Sequence, residues 1–362
     1  MQKKIIKLTR KLVEFKTISE NPDELKRVVD FIQKRYKDKN VFIRRYEKNR
    51  KPSLVVTFQK TKKPKIFLNG HLDVVNAPDR DFIVKIKGNR LYGRGTADMK
   101  GPVAIMLLAF EYFLKQEKKP SLGLLLTCDE EIGSKDGLEY LLKKEKYSAK
   151  LVINPDGGQD ILNIINKSKG LLHLRIESKG KSAHGSMVWL GGNALDKLIS
   201  RYTKLTKMFP KPNKKNLWKP TLNLGVLRGG EVVNKVPDHA EMFLDIRITE
   251  KENMLDILSK VKKVFLGCKV EILSKSDLFY TSEKNLYIKK YVEVLDKDLM
   301  VRPKFICEHG GLDARYFAQK NIPVIVNQPR CGNIHGENEW IDIKSMNEYY
   351  NVLVKYISEV GF

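Results

Sequence analysis

The 362-residue sequence predicts an α/β protein of two domains, a mostly parallel sheet interrupted by a smaller α+β layer. Three observations lead there. Apolar strands alternate with helical patterns through the first 155 residues and again from about Leu286. Around residue 169 that rhythm gives way to a β-α-β-β-α-β order, the ferredoxin-like arrangement. Several apolar strands also end in side chains able to bind a metal ion, and a parallel sheet gathers such ends on one edge. The expected boundaries are 1–168 and 277–362 for the first domain, with 169–276 inserted.

Length and composition limit the function classes. The chain is long enough for two cores, and its 42% hydrophobic and 31% charged residues fit a soluble globular protein. No apolar run approaches the ~18–20 residues needed to cross a bilayer. The opening MQKKIIKLTRKLVEF spaces its basic residues among apolar ones at helical intervals, unlike a signal peptide, so a cytoplasmic location is expected. Cys128, Cys268, Cys307 and Cys331 form no CxxC pair, which agrees with a reducing compartment. The net charge of +25 raises nucleic-acid binding as a possibility. The 52 lysines and 16 arginines are spread along the chain, whereas nucleic-acid readers concentrate arginine and aromatics on one module, so no such partner is expected.

In chain order, Ile5, Leu8, Leu12 and Val13 fall at helical spacing, and Asn21-Pro22-Asp23 opens a second helix. Strands follow at 41–46 and 53–58. The next strand, Lys65–Leu68, leads into Asn69-Gly70-His71-Leu72-Asp73, where a histidine could bind a metal and Asp73 could fix its tautomer. A hairpin at 82–92 turns at Gly88-Asn89. Gly93–Asp98 then bends into a long apolar helix, Pro102–Leu114, with Asp98 at its entrance, where an N-cap is the simpler reading. Leu122–Leu126 is a buried strand delivering Asp129, Glu130 and Glu131; adjacent carboxylates repel and require cations or protons. A helix at 136–146 returns to the strand Lys150–Asn154, which ends in Pro155-Asp156-Gly157. The inserted layer carries the loop Gly180–Ser186 with His184. The last apolar strand, Pro323–Val326, runs on toward His335. Two histidines among several carboxylates suit a pair of divalent ions, zinc first.

The motifs NGHLDVV, GRGTADMKG, TCDEEIGS, NPDG, KSAHGS, GGEVVNKVPD, LDIR and HGENEW, in that order over residues 65–341, closely resemble those of the M20 metallopeptidase and deacylase family. That family includes aminoacylases, acetylornithine and succinyl-diaminopimelate deacylases, and glutamate carboxypeptidases. The resemblance implies a zinc-peptidase catalytic domain and an inserted lid that also serves for dimerisation. It implies that His71 and Asp156 hold one metal, that Glu131 and His335 hold the other, and that Asp98 bridges them. Zinc is expected, with cobalt or manganese as alternatives. Asp73 would orient His71, and Glu130 would be the general base, taking a proton from the water between the metals. His184 would support the oxyanion, from the other subunit in dimeric members. Asn234 and Arg247 would grip a substrate carboxylate, and Gly310 and Gly311 match a Gly-rich substrate loop in which Leu312 replaces the hydroxyl residue of many members.

The implied reaction is hydrolysis of the amide bond in an N-acyl amino acid or small peptide with a free carboxylate, by a homodimer with no membrane partner. Dipeptidase or carboxypeptidase action is the alternative within the family. A non-catalytic or nucleic-acid-binding protein on the same fold is the alternative outside it, and the retained Glu130 and complete ligand set argue against that.

Overall fold

Where apolar residues fill both faces of a strand, the sheet has to be covered on both sides, and that condition places the centre of this molecule. The computed structural model describes residues 1–213 and 216–362. They divide into two units: Met1–Asn166 with Thr281–Ile306 and Leu312–Phe362, and Lys167–Tyr280 with Cys307–Gly311. No described helix is long and apolar enough to cross a membrane.

Along the chain the strands are β1 (Phe42–Lys48), β2 (Lys51–Thr57), β3 (Ile66–His71), β4 (Lys85–Lys87), β5 (Arg90–Tyr92), β6 (Leu122–Thr127), β7 (Leu151–Ile153) and β8 (Asn163–Ser168). There follow β9 (Gly170–Lys179), β10 (Thr221–Gly229), β11 (His239–Ile248), β12 (Lys269–Ser276) and β13 (Phe279–Tyr280). The last four are β14 (Lys304–Glu308), β15 (Val324–Ile325), β16 (Cys331–Gly332) and β17 (Trp340–Asp342).

In the first unit six strands pair in the order β1-β2-β6-β3-β7-β15. β3 runs parallel to both β6 and β7, and β15 runs parallel to β7, so their carboxyl ends share an edge. Every residue of β3 and β6 is buried. The helix Gly101–Leu114 is apolar nearly all round and lies in the core between the sheet and the helices Gln2–Val13 and Ile343–Val360. A second sheet, β16-β17-β5-β4, is antiparallel throughout. It holds the segment after β5, which carries Asp98, beside the β16–β17 connection, which carries His335.

The second unit forms a four-stranded antiparallel sheet in the order β10-β11-β9-β12. β9 and β11 alternate buried and half-buried residues, and the buried face packs with the helices Ala194–Thr206 and Met254–Val264. Asn193 and Asn253 cap those helices through their side-chain oxygens.

One local expectation is corrected. Asp98 caps no helix: the helix starts at Gly101, and Asp98 is extended at φ −124° and ψ 96°. Its carboxylate turns instead to two histidines.

Candidate metal centre

Five side chains from five segments converge at the edge of the first unit's main sheet. His71 ends β3, Glu131 follows β6 on a short 3-10 turn, and Asp156 follows β7. The His71 Nδ1 lies 3.0 Å from the backbone oxygen of Asp73, so Nδ1 carries the proton and the Nε2 lone pair is left facing the carboxylates. That Nε2 is 2.9 Å from Asp98 Oδ1 and 3.8 Å from Asp156 Oδ2. His335 Nε2 is 2.9 Å from the other Asp98 oxygen and 3.1 Å from Glu131 Oε2. Two groups result, His71–Asp98–Asp156 and Asp98–Glu131–His335, each with its donor atoms within 4.8 Å of one another. Asp98 is common to both.

The electrostatics ask for cations. Burial, and then the charge on Asp98, push the Asp156 carboxyl up to about 8. Burial and the neighbouring Asp313 hold Glu130 well above the usual carboxylate range. Burial alone would lower the basicity of His71, but hydrogen bonds to Asp73 and Asp98 outweigh it and raise the ring well above its ordinary value. Hydrogen bonds to Asp98 and Glu131 raise His335 to about 10. Burial opposes charge on Asp98, yet the two histidines hold its carboxyl low. Without a metal, protons keep this many acids together. Imidazole and carboxylate donors with surplus negative charge fit divalent ions.

Outside the donors, Asp73 accepts the Glu131 backbone N–H through Oδ2 at 3.0 Å, while its Oδ1 stands 3.5 Å from His71 Nδ1. The closest partner of that ring nitrogen is therefore the Asp73 carbonyl, and the carboxylate also fixes the Glu131 segment. Asp129, the first acid of the cluster, turns away: it accepts the N–H groups of Asp136 and Gly137 at 2.8 and 2.9 Å. A Cβ at Gly137 would lie 2.1 Å from Asp129 Oδ1, so only glycine lets the loop close there. Asp313 bonds Ser134, and Tyr316 donates to the Gly133 carbonyl at 2.8 Å, bracing the loop that follows Glu130 and Glu131.

The remaining candidates stand in the second unit. His184 is exposed, its Nδ1 2.8 Å from Ser186 Oγ. Asn234 is also exposed, and its carbonyl accepts the Gly185 N–H at 2.7 Å, so the two loops are neighbours. Arg247 donates from Nε to Asp245 at 2.8 Å. Gly310 donates its N–H to Glu308 at 3.1 Å, and Gly311 is exposed. His173 and His239 pair with Asp245 and Glu177 within the sheet, a structural use.

Two histidine–carboxylate clusters sharing one aspartate, at the carboxyl ends of parallel strands, form a candidate two-metal site of the kind metallohydrolases use. The family profile described as Peptidase family M20/M25/M40 matches residues 67–359, and the chain belongs to that family. It is 30% identical over 312 residues to a succinyl-diaminopimelate desuccinylase of Wigglesworthia glossinidia brevipalpis, covering 80% of this chain and 83% of that one. A probable carboxypeptidase of Paracoccidioides brasiliensis (strain Pb03) is 31% identical over 209 residues, covering 51% of this chain and 45% of that one. The fold is shared with aminopeptidase PepT from Bacillus cereus ATCC 10987, at a TM-score of 0.81 and 20% identity over 100% of this chain and 99% of that one. It is also shared with the M20 metallo-carboxypeptidase Sso-CP2 from Sulfolobus solfataricus, at 0.75 and 19% over 98% of each chain. The protein is thus an M20 metallohydrolase acting on amide bonds, and its family implies divalent metal ions.

Proposed function

We propose that the chain is a deacylase that hydrolyses the amide bond of an N-acyl amino acid bearing a free carboxylate, with N-succinyl amino acids as the first substrate class. The observation that carries this reading is the pair of donor clusters sharing Asp98. The kinship to a desuccinylase over most of both chains supports the acyl group. The shorter match to a carboxypeptidase supports a second reading, release of a C-terminal amino acid from a short peptide.

In this proposal His71 and Asp156 would hold one divalent ion and Glu131 and His335 the other, with Asp98 a donor common to both groups. Zinc is the ion put forward, with cobalt or manganese able to replace it. Bound there, divalent ions supply Lewis acidity toward the scissile carbonyl and make water more acidic. Glu130 takes the proton from the attacking water and returns it to the leaving nitrogen. Burial and then the acids around it raise its proton affinity, which suits a base that must later act as an acid. Asp73 fixes the His71 tautomer. Arg247, with Asn234, Gly310 and Gly311, receives the substrate carboxylate, since a guanidinium fork matches it. His184 donates to the oxyanion.

The first unit is assigned the metal ions and the proton transfer, and the second the oxyanion contact, substrate binding and dimerisation. Val188, Trp189, Val232 and Val233 are 58–106% exposed next to the His184 and Asn234 loops, an apolar surface that a second copy would cover. A cytoplasmic site of action belongs to the same proposal, supported by the scattered spacing of Cys128, Cys268, Cys307 and Cys331, which suits a reducing compartment.

The test is a panel of N-succinyl, N-acetyl and dipeptide substrates given to zinc-loaded protein and read by mass spectrometry, with Glu130→Ala as control. Turnover of the succinyl compounds that disappears in the variant is expected. Turnover of peptides alone would favour the second reading, and turnover surviving in Glu130→Ala would remove Glu130 as the base.

A further inference from the structure

Glu339 is 2% exposed, and its carboxylate collects four N–H groups. Oε1 accepts from Ala97 at 2.8 Å and Asp98 at 3.1 Å; Oε2 accepts from Gly95 at 3.0 Å and from Arg94 Nη1 at 2.6 Å. Three of these donors are backbone groups of the segment that presents Asp98. Arg94, 5% exposed, sends its Nη2 the other way, to the carbonyls of His335 at 3.2 Å and Gly336 at 3.3 Å. The Glu339 carbonyl in turn accepts the Gly93 N–H at 3.0 Å.

One buried ion pair therefore bonds to both metal-facing segments at once. Both segments have backbone conformations that need holding. Gly95 has φ +81°, and His335 has φ +62°, in the left-handed region that residues with a Cβ enter at a cost. Neither Arg94 nor Glu339 belongs to the two donor groups. A carboxylate so fully bonded has no capacity left for a metal ion, and its work is geometric.

We infer that Arg94 and Glu339 are positioning residues that set the separation of Asp98 from His335, and through it the metal affinity of the Asp98–Glu131–His335 site. The inference rests on the two-ion reading of the centre. Partners beyond the donors usually change metal affinity about 10- to 100-fold when altered. Arg94→Lys keeps the charge, but one ammonium cannot span Glu339 and two carbonyls. Glu339→Gln puts an amide NH2 among groups that are all donors.

Metal-free protein is titrated with Co2+ by calorimetry, with the visible absorption of bound Co2+ followed in parallel and the circular dichroism of each variant recorded. Expected for Arg94→Lys is a second equivalent weakened about 10- to 100-fold, with a changed Co2+ spectrum, and an unchanged first equivalent. Glu339→Gln is expected to weaken the second equivalent as much and the first by less, because Asp98 serves both. Folded variants that bind both equivalents like the wild type, or lose both by the same factor, would overturn the inference. If Glu339→Gln does not fold, Arg94→Lys decides on the same criteria; if neither folds, the pair is a folding element and the inference falls. A wild-type protein that binds fewer than two equivalents would sink the two-ion reading itself.

Discussion

The two units hold their candidate side chains in different ways. In the first, His71 and Asp98 are 1% and 9% exposed, Glu131 and Asp156 are half-buried and His335 is exposed, but every donor sits against another donor or a backbone group. In the second, His184 and Asn234 stand on exposed loops, and Arg247 is half-buried with Asp245 as a close partner. The difference follows from what each set has to meet. A metal ion accepts little error in donor position, which suits donors held by hydrogen bonds to one another and, at His71 and Asp98, by burial as well. A substrate carboxylate would arrive from water and leave again, which suits the solvated state of the groups proposed to receive it.

That contrast can be broken by substitution. Glu130→Gln is expected to lower kcat about 10²- to 10⁴-fold while Co2+ binding keeps its stoichiometry; unchanged turnover would move the base elsewhere. Arg247→Ala should cost less, about 10- to 100-fold in kcat/KM and mostly through KM, in line with a charged hydrogen bond of about 1.5–3 kcal/mol. A pure loss of kcat would place Arg247 in the chemistry of the first unit instead.

The smallest expected effect is one of pH. In metal-free protein Asp156 is raised to about 8 and His335 to about 10, from ordinary values of 3.8 and 6.5. The folded form then holds protons that the unfolded chain has released. The stability His335 contributes is fully present below pH 6.5 and gone above about 10, and the Asp156 contribution fades toward about 8. The melting temperature of chelated protein should therefore fall as pH rises through this window. Bound metal takes the place of the protons, so loaded protein should show a smaller fall, and metal affinity should rise with pH. Parallel melting curves for the two forms would contradict this.

The donor residues were legible in the sequence because each stands at or just beyond a recognisable apolar strand or in a loop with its own motif. His71, Glu131 and Asp156 needed only the parallel sheet to bring them together, and the structure has that sheet. Asp98 showed the limit of local reading. An acid just before a helix resembles an N-cap, and only tertiary partners turn it to the histidines. Asp129 was equally opaque, since it stands beside Glu130 and Glu131 with the same chemistry. Its direction is set by the close approach of Gly137 eight residues on. The Arg94–Glu339 pair spans 245 positions and leaves no spacing signal, although both lie in motifs picked out on other grounds. β8 carries little strand signal because Asn163, Asn166 and Lys167 interrupt its apolar pattern.

The most direct measurement is anomalous X-ray scattering at the zinc edge from crystals of the zinc-loaded protein. Two peaks are predicted, one among His71, Asp98 and Asp156 and the other among Asp98, Glu131 and His335, with the Asp98 carboxylate between them. A single peak, or zinc bound away from Asp98, would contradict the shared-aspartate centre on which the assigned chemistry depends.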